Sequence, residues 1–382
     1  MGLESPGDQG DLISDKTTRS AVAKLPRQMP PTARSSLWNS CLLSLVGMAI
    51  AGLTSDCGPA EPSAEQGAQL YGKYCALCHG ASGEGYRADD ATALRNPRFL
   101  SLASDTFIEG SIARGRPGTT MSAWSVERGG PLDDAGIKAI VAYLRRLAAH
   151  TREDPSGLVV RGDAASGAKS YAARCESCHG RSGVGGRYVN LGNPELLAIA
   201  SDGFLLRSLE QGRPGTPMPA YEGQLSPTEG ADLVALMRSW QRPPDGALPL
   251  PPRPGQLGAV VLNPGATNAE FPGIDRFVPA DTVKAAMDRA LRLVVLDARP
   301  PSDYSRAHVA GAISAPFYEV MEYAGQIPKD VTVVAYCGCP HAESGQAVDT
   351  LKRLGYPRAY VLDEGFGVWR ERGYPVRGGA NP

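Results

Sequence analysis

Cys75-Ala76-Leu77-Cys78-His79 and Cys175-Glu176-Ser177-Cys178-His179 decide how most of this 382-residue chain is read. Each is Cys-x-x-Cys-His, the attachment signature of a c-type haem. The chemistry sets the spacing. Two cysteines three apart stand on successive faces of one helical turn and can add to the two vinyl groups of a porphyrin. The adjoining histidine then lies under the ring and ligates the iron. A bare Cys-x-x-Cys could be half of a zinc site or a redox dithiol. The adjacent histidine, the duplication and the matched downstream sequence argue against both, so the chain is expected to carry two covalently bound haem c groups.

The surroundings of the two motifs repeat. Gly67-Ala68 and Tyr71 match Gly167-Ala168 and Tyr171 upstream. Downstream, Ser82-Gly83-x-Gly85 matches Ser182-Gly183-x-Gly185, Asn96-Pro97 matches Asn193-Pro194, and Ala103-Ser104-Asp105 matches Ala200-Ser201-Asp202. Gly115-Arg116-Pro117-Gly118-Thr119 then matches Gly212-Arg213-Pro214-Gly215-Thr216, followed by Met121-Ser122-Ala123-Trp124 and Met218-Pro219-Ala220-Tyr221. Each copy closes on an amphipathic helix, expected from Asp133 to Ala149 and from Pro227 to Gln241. The copies are a tandem duplication of about 85 residues each.

Both copies resemble class I cytochrome c domains, with boundaries placed at 64–149 and 158–242. The resemblance implies small all-α domains and a methionine as second axial ligand in a Met-Pro-Ala-aromatic context. Met218 stands in that context; Met121 does too, except that Ser122 replaces the proline. The implied ligand pairs are His79 with Met121 and His179 with Met218. The family also uses a proline carbonyl to accept the proximal histidine's ring N–H, for which Pro97 and Pro194 are the candidates. A soft thioether raises the potential, and two filled axial positions suit electron transfer over small-molecule activation. Five histidines in the chain make bis-histidine ligation hard to build. His150 follows the first closing helix and is assigned to that helix's C-terminus.

Upstream of the repeat, residues 1–36 are polar and aperiodic, a composition that predicts disorder. Leu42 to Leu53 is apolar and uncharged, about the length of a signal-peptide core and short for a membrane span. Arg27 and Arg34 supply its positive flank, and a start at Met29 would give a signal peptide of ordinary length. Cys57-Gly58-Pro59 resembles a lipoprotein cysteine, although Asp56 stands where a small residue is usual. The alternative is a cleaved leader with an incidental cysteine. Either way residues 1–57 read as an extension and export signal, with a periplasmic or otherwise extracytoplasmic destination and a possible lipid anchor at Cys57.

A proline-rich linker, 243–269, leads into a region of different pattern. Leu293 to Leu296, Val331 to Ala335 and Ala359 to Leu362 read as buried strands; Val283–Leu291 and Gly345–Leu354 have helical spacing. Alternation of strands and helices indicates an α/β domain with a parallel sheet. Residues 270–378 resemble a rhodanese domain, through Leu296-Asp297-Ala298-Arg299, His308-Val309-Ala310-Gly311-Ala312, Val334-Ala335-Tyr336-Cys337, Gly365-Phe366-Gly367-Val368-Trp369 and Gly373-Tyr374-Pro375-Val376. The resemblance implies that Cys337 forms a persulfide, its thiolate stabilised by backbone N–H groups at a helix start near Ser344 or Gly345. The loop Cys337-Gly338-Cys339-Pro340-His341-Ala342-Glu343-Ser344 departs from the family by one extra residue and lacks the arginine of the related phosphatases. Glu343 would repel an anionic donor such as thiosulfate. Cys339 is a candidate resolving thiol and His341 a candidate for proton transfer. Arg299 and His308 read as structural.

Charges nearly balance, 39 basic against 40 acidic residues, with no long basic run, which excludes an electrostatic footprint for nucleic acid. The expected molecule has two all-α cytochrome c domains followed by an α/β rhodanese-like domain. Its expected role is electron transfer between redox partner proteins, with a third domain that handles sulfane sulfur from a small donor. Two alternatives stand beside this: a pure electron carrier with a non-catalytic docking or redox-sensing module, and a dihaem oxidoreductase acting on thiosulfate or peroxide.

Overall fold

The computed structural model describes residues 63–85, 90–244, 246, 248–338 and 341–381. The apolar stretch 42–53, the alternative start at Met29, Cys41, Cys57 and Cys339 lie outside them. Among the described residues no helix is long and apolar enough to cross a membrane.

The first unit is helical: α1 (Ala64–Tyr74), α2 (Ala76–His79), α3 (Pro97–Leu102), α4 (Asp105–Arg114) and α5 (Asp134–Arg146). The second repeats it: α6 (Ala164–Arg174), α7 (Glu176–His179), α8 (Pro194–Ile199), α9 (Asp202–Gln211) and α10 (Pro227–Ser239). Polar caps set the starts, as orphan helix N–H groups require. Asn96 and Asn193 accept from the first turns of α3 and α8, Ser104 and Ser201 cap α4 and α9, and Ser226 with Glu229 forms a capping box on α10. The closing helices stop short of the expected ends. The Leu147 N–H turns back to the Leu144 carbonyl at 3.1 Å, and that of Trp240 to Met237 at 3.1 Å, each tightening the last turn.

The repeated glycines Gly67 and Gly167 have a packing reason. The first and last helices of each unit cross there so closely that a Cβ on Gly67 would lie 1.9 Å from the Ala139 carbonyl oxygen. On Gly167 it would lie 2.2 Å from that of Asp232. Only hydrogen fits at these crossings.

The two units meet through equivalent patches. The Asn96 side-chain amide donates to the Pro214 carbonyl at 2.8 Å, and that of Asn193 to the Pro117 carbonyl at 2.9 Å. Phe107 packs against its own counterpart Phe204, the rings tilted with centroids 4.5 Å apart. The duplication thus folds as an internal pseudo-two-fold pair. It is imperfect: Glu195, fully buried, pairs with Arg128 at 3.2 Å and Arg114 at 3.8 Å of the first unit.

The third region contains β1 (Phe277–Val278), α11 (Ala280–Asp288), β2 (Val294–Asp297), α12 (Pro301–Arg306), β3 (His308–Val309), β4 (Ile313–Ser314), α13 (Val320–Ala324), β5 (Val333–Tyr336), α14 (Ala342–Arg353), β6 (Ala359–Leu362), α15 (Gly365–Glu371) and β7 (Val376–Arg377). A parallel sheet of five strands runs β1-β6-β5-β2-β4, and β3 pairs antiparallel with β7. Alternation decides the faces. Val294, Leu296, Val333 and Ala335 join the core continuous with the helical units, whereas Val295, Val334 and Tyr336 join a second core with Trp369. Both faces are covered, which accounts for the unbroken apolar runs of β2 and β5. The expected helix 283–291 begins earlier, at Ala280, and ends at Asp288, ahead of Ala290 at φ +52°. Leu262 and Asn268 already pair with Leu293 and Arg292, so the chain enters this region ahead of residue 270.

Candidate functional site

Cys75 ends α1 and begins α2: its N–H donates to the Tyr71 carbonyl at 2.9 Å while its carbonyl accepts from His79 at 3.0 Å. Cys175 does the same between α6 and α7, at 2.8 and 2.9 Å. This corner puts both cysteines and the histidine of each motif on one turn. The tyrosine one turn earlier pins the exit, with Tyr71 and Tyr171 hydroxyls donating to the Gly80 and Gly180 carbonyls at 2.7 and 2.8 Å. None of the four cysteines is in a disulfide. Among the described residues no three His, Cys, Asp or Glu side chains converge as a metal site would need.

The histidines are oriented for a metal at Nε2. His79 Nδ1–H donates to the Thr92 carbonyl at 2.8 Å, and His179 Nδ1–H to the Val189 carbonyl at 2.9 Å. Burial pushes the His79 imidazole toward its neutral form, against the Thr92 bond. A neutral ring with Nδ1 occupied presents its Nε2 lone pair, as haem ligation requires. These bonds correct the expectation for Pro97 and Pro194. Both prolines sit at the first position of α3 and α8, and the acceptors come from the loop ahead of them. A proline carbonyl there enters the helix, so it is not free to reach back to the ring.

The methionine loops are built alike. Gly115 and Gly212, at φ +62° and +58°, end α4 and α9 and lie so close to the returning chain that a Cβ would meet it at 2.4 and 2.5 Å. The Arg116 N–H donates to the Met121 carbonyl at 2.7 Å and Arg213 to Met218 at 3.0 Å, closing each loop. Thr119 and Thr216 hydroxyls accept from the Met121 and Met218 N–H groups at 3.2 Å. Sequence reasoning passed over the arginines. Each guanidinium donates to its preceding glycine carbonyl and to a helix serine, Ser111 or Ser208, and burial pushes both down to about 10. Their duplication in the repeat was the available signal. His150 donates from Nδ1 to the Ala148 carbonyl at 2.8 Å, just past α5.

In the third region Cys337 follows β5 at the C-terminal end of the sheet and is fully buried. Its Sγ lies 3.2 Å from the Ser344 hydroxyl, and its carbonyl accepts from Phe366 at 2.9 Å. The helix beyond it, α14, begins at Ala342, ahead of the expected Ser344, with His341 at φ +63° leading into it. The His341 Nε2–H is directed at Asp363, 2.5 Å from its carbonyl and 2.9 Å from its carboxylate. Glu343 is buried in the first turn of α14. Burial, then the Cys337 thiol and the Asp303 carboxyl, push it well above the usual carboxylate range. Asp303 is also raised by burial. Burial works against the Arg299 charge, but Asp297 outweighs it through bonds of 2.6 and 2.9 Å and holds the guanidinium protonated. Arg299 is thereby committed to Asp297, the Ala307 carbonyl and the Phe366 ring, as a structural cation. His308, stacked on Tyr304 at 3.7 Å and donating to its carbonyl, is structural too.

The two chemistries adjoin. Tyr74 and Trp124 of the first unit meet Tyr318 at 5.6 and 6.2 Å between ring centroids, and Trp124 meets Phe317 at 6.4 Å. Thr120, next to Met121, packs beside Gly338, next to Cys337: a Cβ on Gly338 would be 3.6 Å from the Thr120 methyl. No local sequence pattern announced this junction.

Residues 62–144 and 162–237 match the family model described as cytochrome c oxidase, cbb3-type, subunit III, and residues 279–372 match the rhodanese-like domain. The cbb3-type cytochrome c oxidase subunit FixP of Bradyrhizobium sp. (strain ORS 278) is 29% identical over 192 residues, 46% of this chain and 60% of that protein. The chain thus spans 60% of the length of that relative. Thiosulfate sulfurtransferase GlpE of Tolumonas auensis is 33% identical over 87 residues, 22% of this chain and 80% of that protein. Among solved structures, the rhodanese-like domain of an Anabaena sp. protein is 23% identical, covering 28% of this chain and 80% of that one, with a TM-score of 0.26.

Proposed function

The chain belongs to the cytochromes c through its first two units and to the rhodanese-like family through its third, and from this premise we propose that it carries electrons through two His/Met haems c while Cys337 binds and transfers sulfane sulfur. His79 and Met121 hold the first haem and His179 and Met218 the second, with Cys75, Cys78, Cys175 and Cys178 as the thioether anchors. Bound haem supplies one-electron chemistry at a potential raised by the methionine sulfur. The chain's part is to fix each imidazole through the Thr92 and Val189 carbonyls, and to hold each methionine in a loop closed by its own arginine. The protein works outside the cytoplasm, between redox partner proteins, with lipid attachment at Cys57 as one means of holding it to a membrane.

In the sulfur step the Cys337 thiolate attacks the outer sulfur of a persulfide donor. A new S–S bond forms, the donor's S–S bond breaks, and the donor leaves as a thiolate, with no net electron change. The α14 N-terminus and the Ser344 hydroxyl stabilise the attacking thiolate. Glu343, buried beside it and pushed toward its neutral form, sets no full negative charge against an anionic donor.

The observation that carries this reading is the contact between the Met121 loop and the Cys337 loop. Sulfur chemistry and electron transfer are built against each other, which a carrier with an unrelated appendage would not need. Full burial of Cys337 favours a second reading, a docking or sensing module without turnover. The test pairs mass spectrometry of Cys337 after polysulfide treatment with a cyanide-acceptor transfer assay and haem spectra of the same sample. A +32 Da adduct lost in Cys337→Ser, with turnover, is expected. An adduct without turnover selects the second reading, and transfer surviving Cys337→Ser refutes the assignment.

A further inference from the structure

We propose that Asp90 and Arg187 are positioning residues, which link the segment that orients His79 to the segment that orients His179, so that the two haem sites respond to each other as a pair. The inference rests on the reading that both histidines hold haem, and it adds a contact through which each site senses the other.

The geometry of the pair is printed in two bonds. Arg187 Nε donates to Asp90 Oδ2 at 2.8 Å and Nη2 donates to Oδ1 at 3.2 Å, so the guanidinium meets the carboxylate fork to fork. Its place matters more than its strength. Asp90 lies two residues ahead of Thr92, whose carbonyl accepts from His79 Nδ1–H at 2.8 Å. Arg187 lies two residues ahead of Val189, whose carbonyl accepts from His179 Nδ1–H at 2.9 Å. The two units thus meet here through counterparts, as Phe107 and Phe204 do, but with opposite charges, where identical ones would repel.

Each segment is seated on its own haem motif. In the second unit the Tyr188 N–H donates to the Cys178 carbonyl at 3.2 Å, and a Cβ on Gly186 would lie 2.3 Å from the His179 carbonyl carbon. In the first, the Gly85 N–H donates to the His79 carbonyl at 2.7 Å, and a Cβ on Gly85 would lie 2.5 Å from the Ala93 nitrogen. Asp90 stands at φ +50°, a left-handed turn that Asp tolerates and most side chains avoid. A displacement of either segment therefore has two outlets: its own imidazole and, through the ion pair, the imidazole of the other unit. The bond at Nδ1 tunes the basicity of the ring, and with it the potential of an iron held at Nε2. By linkage the coupling is reciprocal. The Arg187 side chain is 69% exposed and that of Asp90 26%, so the tie responds to salt and adds little to stability.

The experiment uses the full-length holoprotein as wild type, Asp90→Asn, Arg187→Gln and the double variant. Arg181→Gln, which removes an exposed charge two residues past His179, is the control. Hydrogen exchange is read by NMR of the reduced protein at the two histidine Nδ1–H groups and at the Arg95 and Gly192 amides, which donate to the Gly83 and Gly183 carbonyls. A two-step redox titration runs beside it. Arg187→Gln should speed exchange about threefold at His79 and Arg95, in the unit to which it does not belong, and Asp90→Asn should do the same at His179 and Gly192, the ratio for an exposed ion pair. The double variant should add nothing further, and high salt should bring wild type toward the variants. Both single variants should raise both midpoints, because each loosens the two Nδ1 bonds. Simple loss of charge would instead raise them in Asp90→Asn and lower them in Arg187→Gln. Arg181→Gln should lower a midpoint without changing exchange in the first unit. Exchange altered only within the mutated unit, midpoint shifts of opposite sign, or additive effects in the double variant would overturn the proposal. Haem that leaves the denatured protein in acidified acetone overturns the attachment reading instead, and the Arg95 and Gly192 amides then still decide the link between the segments.

Discussion

Asn193 performs two tasks with the two ends of one amide, and aspartate can separate them. Its Oδ1 accepts from Glu195 and Leu196 at 3.1 and 3.3 Å, capping α8, while its Nδ2 donates to the Pro117 carbonyl of the other unit at 2.9 Å. The side chain is 2% exposed, so water replaces neither bond cheaply. Asn193→Ala loses the cap, about 1 kcal/mol, and the cross-tie, about 1 kcal/mol more. A total of about 2 kcal/mol corresponds to a fall in Tm of about 4–8 °C for a large domain. Asn193→Asp keeps the capping oxygen but sets a second oxygen against the Pro117 carbonyl. If the tie between units matters, Asn193→Asp costs as much as Asn193→Ala despite its intact cap. Thermal unfolding of the holoprotein, followed by calorimetry, measures both. Asn96→Ala and Asn96→Asp should reproduce the pair within about 0.5 kcal/mol, because Asn96 makes the mirror-image contacts to α3 and Pro214. An Asn193→Asp protein as stable as wild type would refute the role given to the cross-tie.

Gly67→Ala should destabilise by about 2 kcal/mol in denaturant unfolding, overpacking at the Ala139 carbonyl outweighing the better helix propensity. Gly72→Ala, on the same helix with nothing within 4 Å, should instead stabilise slightly, and the reverse order would count against the crossing geometry. Met218→Ala should remove about half of the weak sulfur-to-iron band of the oxidised protein and lower one midpoint; unchanged spectra in both Met121→Ala and Met218→Ala would rule out the ligand assignment. Glu343 has its folded pKa raised, so the folded state holds more protons than the unfolded one above the ordinary value of 4.5. Stability should fall as pH rises from that value toward the raised one. Glu343→Gln should flatten this slope in urea midpoints taken across the range, and an unaltered slope would place the proton elsewhere.

The haem motifs, the duplication and the α/β third domain were legible because each rests on short-range pattern: a five-residue covalent signature, a repeat, and apolar runs of strand length. The histidine acceptors were not. Thr92 and Val189 act through backbone carbonyls, which no side-chain identity announces, whereas the prolines nearby are visible by type. The matched Asn-Pro pairs were visible, and as helix starts they follow from capping chemistry. Their second task, bonding the opposite unit, depends on a docking that no local pattern encodes. Arg116 and Arg213 recur at matched positions of the repeat, yet their burial is a tertiary outcome. Ser122 stood out as a deviation from its family, and its burial at 4% exposure is set by packing that the local sequence does not encode.

The reciprocal contact between the cytochrome units has a consequence for growth of the architecture. A surface that pairs with its own copy through a two-fold axis is used up by one partner. Asn96 and Pro117 of one unit consume Asn193 and Pro214 of the other, so neither retains the patch for a third. Head-to-tail contact would permit an open-ended string of haem units; this closed contact ends at two. Any further module must attach elsewhere, and the rhodanese-like domain does so, on the side of the first unit that carries Tyr74 and Trp124. The two halves differ at this contact: Glu195, whose position in the first unit is held by Arg98, pairs with Arg128 and Arg114 across it, and among the described residues nothing mirrors that pair.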